Sequence, residues 1–472
     1  MENRNNERFK RVIKFGFAAV ILLLHILLYY LVWTNYYNPK MEFPFWRRGN
    51  WLIAGFYGAL LLLLHQLYGG LRIGYLRRWN LIYSQTLALV LVNIAAYVEL
   101  VLVDKHFLNP AGLICLFLVE MVTMLIWVYV FQWIYNLLFP PRRLLVVYGE
   151  YPVFRILKKI NSRDDKYVLA GAIGLDAGVE KIMEEAPKYG GIILGDIPSH
   201  ERNLILKRCY EKEIRVYLIP KISDILVRSS SDLRLFDTSI LLSRNDGLQL
   251  DQAFFKRILD LLSAGTLFLL TLPLFLLISL CIFLEDRGPV FYTQDRLTID
   301  GKVFRILKFR TMRTDAEKDG VARLAGEKDD RITRTGHVLR ATRLDELPQV
   351  INILKGEMSM VGPRPERPEI AAEYEKEIPE FRMRLKVKAG LTGLAQIYGL
   401  YNTTPFDKLK LDLAYIRNYS FFQDLKLIFM TPKIMFMKEA TEGVGEGQTT
   451  ASLKEEVYGK QFSYEDFIKE VK

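Results

Sequence analysis

Asp345 and Glu346 are adjacent carboxylates just ahead of Pro348, in the run Arg331 to Glu366, RITRTGHVLRATRLDELPQVINILKGEMSMVGPRPE. Arg331, Arg334, Arg340 and Arg343 precede the pair, and Arg364 follows it between Pro363 and Pro365. A carboxylate can act as a nucleophile or as a ligand for a hard cation, and guanidinium forks suit phosphate. Flanking prolines pre-set the backbone around one guanidinium. An isolated Asp–Glu pair would ordinarily be a solvated ion-pair network at a helix end, but further clusters point to phosphate chemistry. In Lys308-Phe309-Arg310-Thr311-Met312-Arg313, alternation sets Lys308, Arg310 and Met312 on one face of an extended chain. Lys388 to Gln396, KAGLTGLAQ, is a glycine-bearing turn able to bring backbone N–H groups near an anion. A helix beginning near Asp345 would favour an ionised carboxylate and attract phosphate at its N-terminus. Adjacent helical side chains point about 100° apart, so the two acids would take different tasks. One could attack phosphorus and the other hold Mg²⁺, an ion commonly bound by one or two carboxylates with substrate phosphate.

These groups need a scaffold, and the apolar residues describe a membrane one. The chain has 472 residues, 51% hydrophobic, enough for two or three domains. Four early runs, 12–33, 51–69, 81–103 and 112–135, are long enough to cross a bilayer. The first reads as a retained span, not a removable signal peptide, because its core is long and further spans follow. Cations before the first span, between the second and third (Arg72, Arg77, Arg78) and after the fourth (Arg142, Arg143) place both ends of the bundle inside. Trp33, Trp46, Trp51, Trp79 and Trp133 near the span ends read as interfacial anchors. The formal charge of +11 is then partly topogenic and otherwise suits anionic lipid and phosphorylated substrates. No nucleic-acid motif accompanies it, so no nucleic-acid partner is expected. Three cysteines and five histidines show no ligand spacing, which argues against a disulfide framework or a zinc site.

After Pro140-Pro141 the pattern becomes α/β. Segments 144–149, 169–174, 191–196 and 215–220 read as strands, with helices at 154–160, 179–189 and 199–213 between them, which argues a parallel, Rossmann-like sheet. The first turn, Gly149-Glu150-Tyr151-Pro152, lacks the glycines of a dinucleotide fingerprint, so this domain (140–250) reads as degenerate. Segment 228–250 reads as a linker or an edge extension. The apolar run 254–284 contains Pro273 near its middle, with Lys256 and Arg257 before it and a cationic remainder after. A helix that enters the inner leaflet, bends at Pro273 and returns keeps those cations on one side, whereas a kinked span is the plain alternative. Helices at 368–374 and 406–419 follow. The apolar strip 421–430 suits an interfacial position or core packing equally, and the tail 439–472 is polar and is expected to be mobile.

From Lys256 to Met437 the chain resembles the catalytic domain of the bacterial polyprenyl-phosphate hexose-1-phosphate transferases, the monotopic phosphoglycosyl transferases. The resemblance rests on KFRTMR (308–313), TRTGHVLR (333–340), LDELPQVINILKGEMSMVGPRP (344–365) and AGLTGLAQI (389–397). It implies a four-span helical bundle (1–139), the Rossmann-like insert (140–250) and an α/β catalytic domain (251–438) with a re-entrant helix. It also implies transfer of a sugar 1-phosphate from a UDP-sugar to undecaprenyl phosphate, starting exopolysaccharide, capsule or O-antigen assembly at the bacterial inner membrane, with the catalytic domain facing the cytoplasm. In those terms Asp345 is the nucleophile that forms a phosphosugar intermediate with release of UMP, and Glu346 binds Mg²⁺. Arg364 binds phosphate, with Lys308, Arg310 and Arg340 as further contacts, and Pro273 is the break of the re-entrant anchor. Ala389 departs from the proline that the family often carries before the glycine. Inner-membrane lipids are implied partners, and a homodimer is left open. Two other readings compete with the transferase one. A catalytically inactive scaffold of polysaccharide export is disfavoured by the intact Asp345, Glu346 and Arg364. A transporter would need charges inside its spans, where Glu120 and Glu99 stand.

Overall fold

The computed structural model describes residues 2–149, 157, 160–243, 247–313, 331–399 and 403–435. It forms two compact units, the first running to Ile219 and the second beginning at Pro220.

In the first unit, helices form where the apolar runs lie: α1 (Glu2–Val32), α2 (Arg47–Tyr68), α3 (Arg78–Asp104) and α4 (Ala111–Leu138). Each packs on its sequence neighbour and α1 also packs on α4, closing a bundle. Ile21, Leu61, Leu89, Val92 and Met124 fill its interior. Leu23, Leu27, Leu102, Leu118 and Leu137 face outward, an apolar exterior that water would not tolerate but lipid would. The Glu120 carboxylate is buried and accepts from Tyr57 Oη at 2.5 Å and Asn93 Nδ2 at 2.7 Å, so this acid is partnered inside the bundle. Of the five tryptophans read as anchors, Trp46, Trp51, Trp79 and Trp133 are exposed. Trp33 is not, because its indole N–H donates to Asn50 Oδ1 at 2.8 Å in the core.

Next come β1 (Arg142–Tyr148), β2 (Tyr167–Gly174), α5 (Val179–Glu185), β3 (Ile192–Leu194), α6 (Ser199–Glu211) and β4 (Val216–Leu218). The four strands form one parallel sheet of order β2–β1–β3–β4. Alternation splits the central strand: Leu145 and Val147 pack with Ile182 and Ile205, and Leu144 and Val146 with Leu157 and Leu169. The expected helix 154–160 falls largely, and the turn residues Glu150 to Pro152 wholly, outside the described residues. A Cβ on Gly149 would stand 2.9 Å from Asp196 O, so the chain passes closely there.

The second unit opens with α7 (Ile222–Arg228) and an exposed antiparallel hairpin, β5 (Ser231–Leu235) and β6 (Thr238–Leu242), where a linker or edge extension was expected. Helix α8 (Leu250–Asp286) is continuous through Pro273. Ala264, Leu267 and Phe268 join a cluster with Phe304, Ile306 and Val350, while Leu274, Phe275, Ile278 and Ile282 join Phe309 and Leu339. The helix therefore packs on one domain both before and after its proline, with Leu262, Leu269, Leu270, Leu276 and Leu284 exposed along its other side. Five helices among the described residues, α1 to α4 and α8, are long and apolar enough to cross a membrane.

The rest of the unit is built from the hairpin β7 (Phe291–Leu297) and β8 (Val303–Phe309), then α9 (Arg334–Thr342), α10 (Gln349–Lys355), β9 (Ser359–Val361) and α11 (Pro368–Glu377). It ends with β10 (Gly390–Thr392), which pairs parallel to β9, then α12 (Leu394–Tyr398), α13 (Pro405–Arg417) and α14 (Phe421–Met435). In α14, Leu427, Met430 and Ile434 are buried, so that strip packs into the core, with Phe422 left exposed. The tail 439–472 lies outside the described residues.

Candidate active site

Asp345 and Glu346 do not begin a helix. Arg343, in the left-handed region at φ 56°, ends α9, and residues Leu344–Glu346 form a 3₁₀ turn. Pro348 has no N–H to return to Leu344, so the α-helical ladder restarts only at Gln349. The links across the corner are short-range: Glu346 N donates to Arg343 O at 3.3 Å and Leu347 N to Leu344 O at 3.2 Å. A 3₁₀ turn places neighbouring side chains roughly 120° apart, so the acids still diverge, for a different reason than a helix N-terminus.

Glu346 is the gathered member. Its Oε1 accepts from Lys308 Nζ at 3.0 Å and from Arg364 Nη2 at 2.9 Å. Its side chain is 16% exposed while that of Arg364 is 45% exposed, so the guanidinium is anchored yet keeps an accessible edge. Burial by itself would raise Glu346, but the charges and hydrogen bonds of Arg364 and Lys308 hold it well below the ordinary carboxylate range. The Asp345 carboxylate carries no hydrogen bond among the described residues. Burial and the adjacent Glu346 charge push it above its usual value, against the pull of Lys308, Arg340 and Arg364. One acid is thus locked ionised by two cations, and the other is left more basic beside it.

The flanking cations divide. Lys308, on β8, and Arg364 reach the acid pair directly. Arg340, on α9, lies close enough to bias Asp345, with its Nε donating to Thr311 Oγ1 at 2.9 Å. Arg310 is not brought to the site. The strand ends at Phe309, and the Arg310 guanidinium turns to Asp286 at the end of α8, filling the space beside Gly288. Nor does Gly390 present its N–H to an anion. It donates to Pro363 O at 2.9 Å, while Gly362 N donates to Thr392 O at 2.8 Å. A Cβ on Gly390 would stand 2.0 Å from Gly362 N, so glycine is required for this approach, which clamps the loop bearing Arg364.

Several supporting residues escaped the sequence reading. Lys256, read there as a topogenic cation, is buried, and its ammonium donates to Asp424 Oδ2 at 2.6 Å, Tyr415 Oη at 3.0 Å and Val361 O at 2.8 Å. Arg257 caps α10, donating to Ile353 O at 2.7 Å and Leu354 O at 2.8 Å. Asp260 accepts from Ser359 Oγ and Met360 N, each at 2.8 Å. Lys256 and Arg257, with Asp260 four and three positions on, near the start of an otherwise apolar helix, were the available signal.

A hard cation has a limited donor set here. No group of three histidine, cysteine or acidic side chains suited to a metal occurs among the described residues. Glu346 retains Oε2 and Asp345 its carboxylate, which fits an ion such as Mg²⁺ that takes one or two carboxylates and completes its shell with phosphate and water.

An acid pair held among phosphate-suited cations thus lies on a unit that carries a long apolar helix along one side. Residues 251–438 match the family described as bacterial sugar transferase. The UDP-glucose:undecaprenyl-phosphate glucose-1-phosphate transferase of Caulobacter vibrioides is 42% identical over 181 residues, 37% of this chain and 67% of that protein. A putative undecaprenyl-phosphate N-acetylgalactosaminyl 1-phosphate transferase of Bacillus subtilis is 48% identical over 130 residues, 28% of this chain and 72% of that one. The UDP-N-acetylgalactosamine-undecaprenyl-phosphate N-acetylgalactosaminephosphotransferase of Aeromonas hydrophila is 35% identical over 267 residues, 55% of this chain, and the match spans only 59% of that protein's length. The chain belongs to the bacterial sugar transferase family, and it is a transferase.

Proposed function

We propose that this protein transfers a sugar 1-phosphate from a UDP-sugar to undecaprenyl phosphate, initiating a surface polysaccharide. The observation that carries the reading is the asymmetry of the acid pair, with Glu346 bound by Lys308 and Arg364 and Asp345 beside it carrying no hydrogen bond among the described residues. An Asp345 carboxylate oxygen attacks the sugar-bearing phosphorus. The new O–P bond forms as the phosphoanhydride bond breaks, and its electron pair leaves on the bridging oxygen with UMP. An oxygen of the lipid phosphate then attacks the same phosphorus, the Asp345–phosphorus bond breaks, and the carboxylate is regenerated. Neither step needs a base, because both nucleophiles are already anions. Arg364 and Lys308 offset the charge that gathers on phosphate oxygens. Glu346, with phosphate, would hold Mg²⁺, which supplies Lewis-acid stabilisation of that charge when bound.

A membrane address follows from the same chemistry, since the acceptor is a lipid. Contacts on both sides of Pro273 with a single domain support a re-entrant α8 in the cytoplasmic leaflet of the inner membrane, with the catalytic unit in the cytoplasm. The parallel sheet of the first unit supports a Rossmann-like insert there. The test is UMP release and polyprenyl-diphosphate-sugar formation from a panel of UDP-sugars, with and without Mg²⁺. Both activities should vanish in Asp345→Asn, and UMP release that persists in this variant sinks the nucleophile assignment.

A further inference from the structure

The loop from Val361 to Glu366 presents Arg364, and its backbone is held at nearly every peptide. Val361 O accepts from Lys256 and Tyr415, Pro363 O from Gly390 N, and Glu366 O from Leu297 N at 3.0 Å. Arginines hold two further carbonyls: Arg364 O accepts from Arg384 Nη2 at 2.9 Å, and Pro365 O from Arg296 Nη1 at 3.1 Å. Arg384 is the more enclosed of the two. Its side chain is 4% exposed, lies over the Phe381 ring at 4.8 Å, and pairs with Asp412 Oδ2 at 2.8 Å and Glu366 Oε1 at 3.5 Å. Those two carboxylates already supply the counter-charge that a purely structural buried arginine needs. The additional bond to the Arg364 carbonyl couples the ion pair to the residue that reaches Glu346.

We propose that Arg384 is a positioning residue that aims the Arg364 guanidinium at the acid pair, with Arg296 as its auxiliary. The inference rests on the phosphoryl-transfer reading of the site. A guanidinium has a fixed fork, so a loop displaced by even an ångström loses the bidentate approach to phosphate. Arg384 contacts neither Asp345 nor Glu346 and acts only through the loop it holds.

Two measurements on the full-length protein in nanodiscs test this. In Arg384→Lys, hydrogen exchange should quicken across 361–367 while the rest of the second unit keeps its protection. Unchanged protection there overturns the proposal whether or not the enzyme turns over. For activity, Arg384→Lys should lower kcat/KM for the UDP-sugar on the order of 10- to 100-fold, the loss expected of a slightly misplaced catalytic contact. In an Arg364→Lys background, where no fork remains to be aimed, the same substitution should cost under about twofold. Equal losses in both backgrounds mean a merely structural role and overturn the proposal. If Arg384→Lys fails to fold, Arg296→Gln enters the same two measurements with the same outcomes. A wild-type protein that releases no UMP from any UDP-sugar counts against the transfer reading instead, and the exchange measurement still decides the positioning.

Discussion

Asp424→Asn leaves the Lys256 ammonium buried with Val361 O at 2.8 Å and Tyr415 Oη at 3.0 Å as its acceptors but without a counter-charge. The side chains of Lys256 and Asp424 are 6% and 1% exposed, so solvent cannot screen the loss. Breaking a buried pair from one side costs about 3–5 kcal/mol. For a domain of this size each kcal/mol moves the melting midpoint by about 2–4 °C, so a fall of about 6–20 °C is expected. Lys256→Met with Asp424→Leu should recover most of that. Tyr415 has one hydroxyl proton, shared in the native protein between Asp424 Oδ1 at 2.7 Å and Val361 O at 3.2 Å. With the aspartate gone the proton can go to Val361 O, so the double variant strands few polar groups. Thermal unfolding of Lys256→Met, Asp424→Leu and their double variant, beside Asp424→Asn, in one detergent and at one scan rate reads the cycle. A silent single variant, or a double variant worse than either single, would refute the reasoning.

Three further outcomes follow from the geometry. The acid limb of phosphosugar-enzyme formation should lie above the ordinary aspartate value, because Asp345 loses its charge as pH falls through a raised value. Glu346→Gln removes the neighbouring negative charge and frees two cations to act on Asp345, so the residual limb should shift to lower pH in single-turnover assays, and an upward shift would contradict that account. Gly390→Ala forces a Cβ to 2.0 Å from Gly362 N, and should cost at least about 1–3 kcal/mol and most of the activity, measured by melting and UMP release. Cysteines at Leu250 and Arg287, exposed positions flanking α8, should label from the same side of sealed vesicles; labelling from opposite sides would make α8 a fifth span.

The four early apolar helices, the parallel strands and the helices 368–374 and 406–419 were legible because apolar periodicity and glycine–proline punctuation report burial directly. The joining of Lys308 and Arg364 on Glu346 was approached only through charge clustering, since spacing does not say which cation meets which acid. A helix beginning near Asp345 was one option the pattern allowed, but Pro348 and the left-handed Arg343 move the helix start to Gln349. Arg310 followed the alternation of its strand in the reading, but the strand stops one residue before it. Lys256 looked topogenic because a cation beside an apolar run usually is. Its partner Asp424 is 168 residues away, and only the fold can bring them together.

Helix α8 supplies Ala264, Ile278 and Ile282 to two buried clusters, and Lys256 and Asp260 to the polar contacts of β9. The exposed apolar face and the buried interior of the second unit therefore share one piece of chain. A fragment trimmed to begin after Asp286, in the hope of a water-soluble enzyme, would uncover Phe304, Ile306 and Phe309 and lose the lysine that steadies Val361. Preparing this protein for biochemistry thus means keeping the greasy helix and supplying an amphiphile, because the part that resists water also completes the catalytic core.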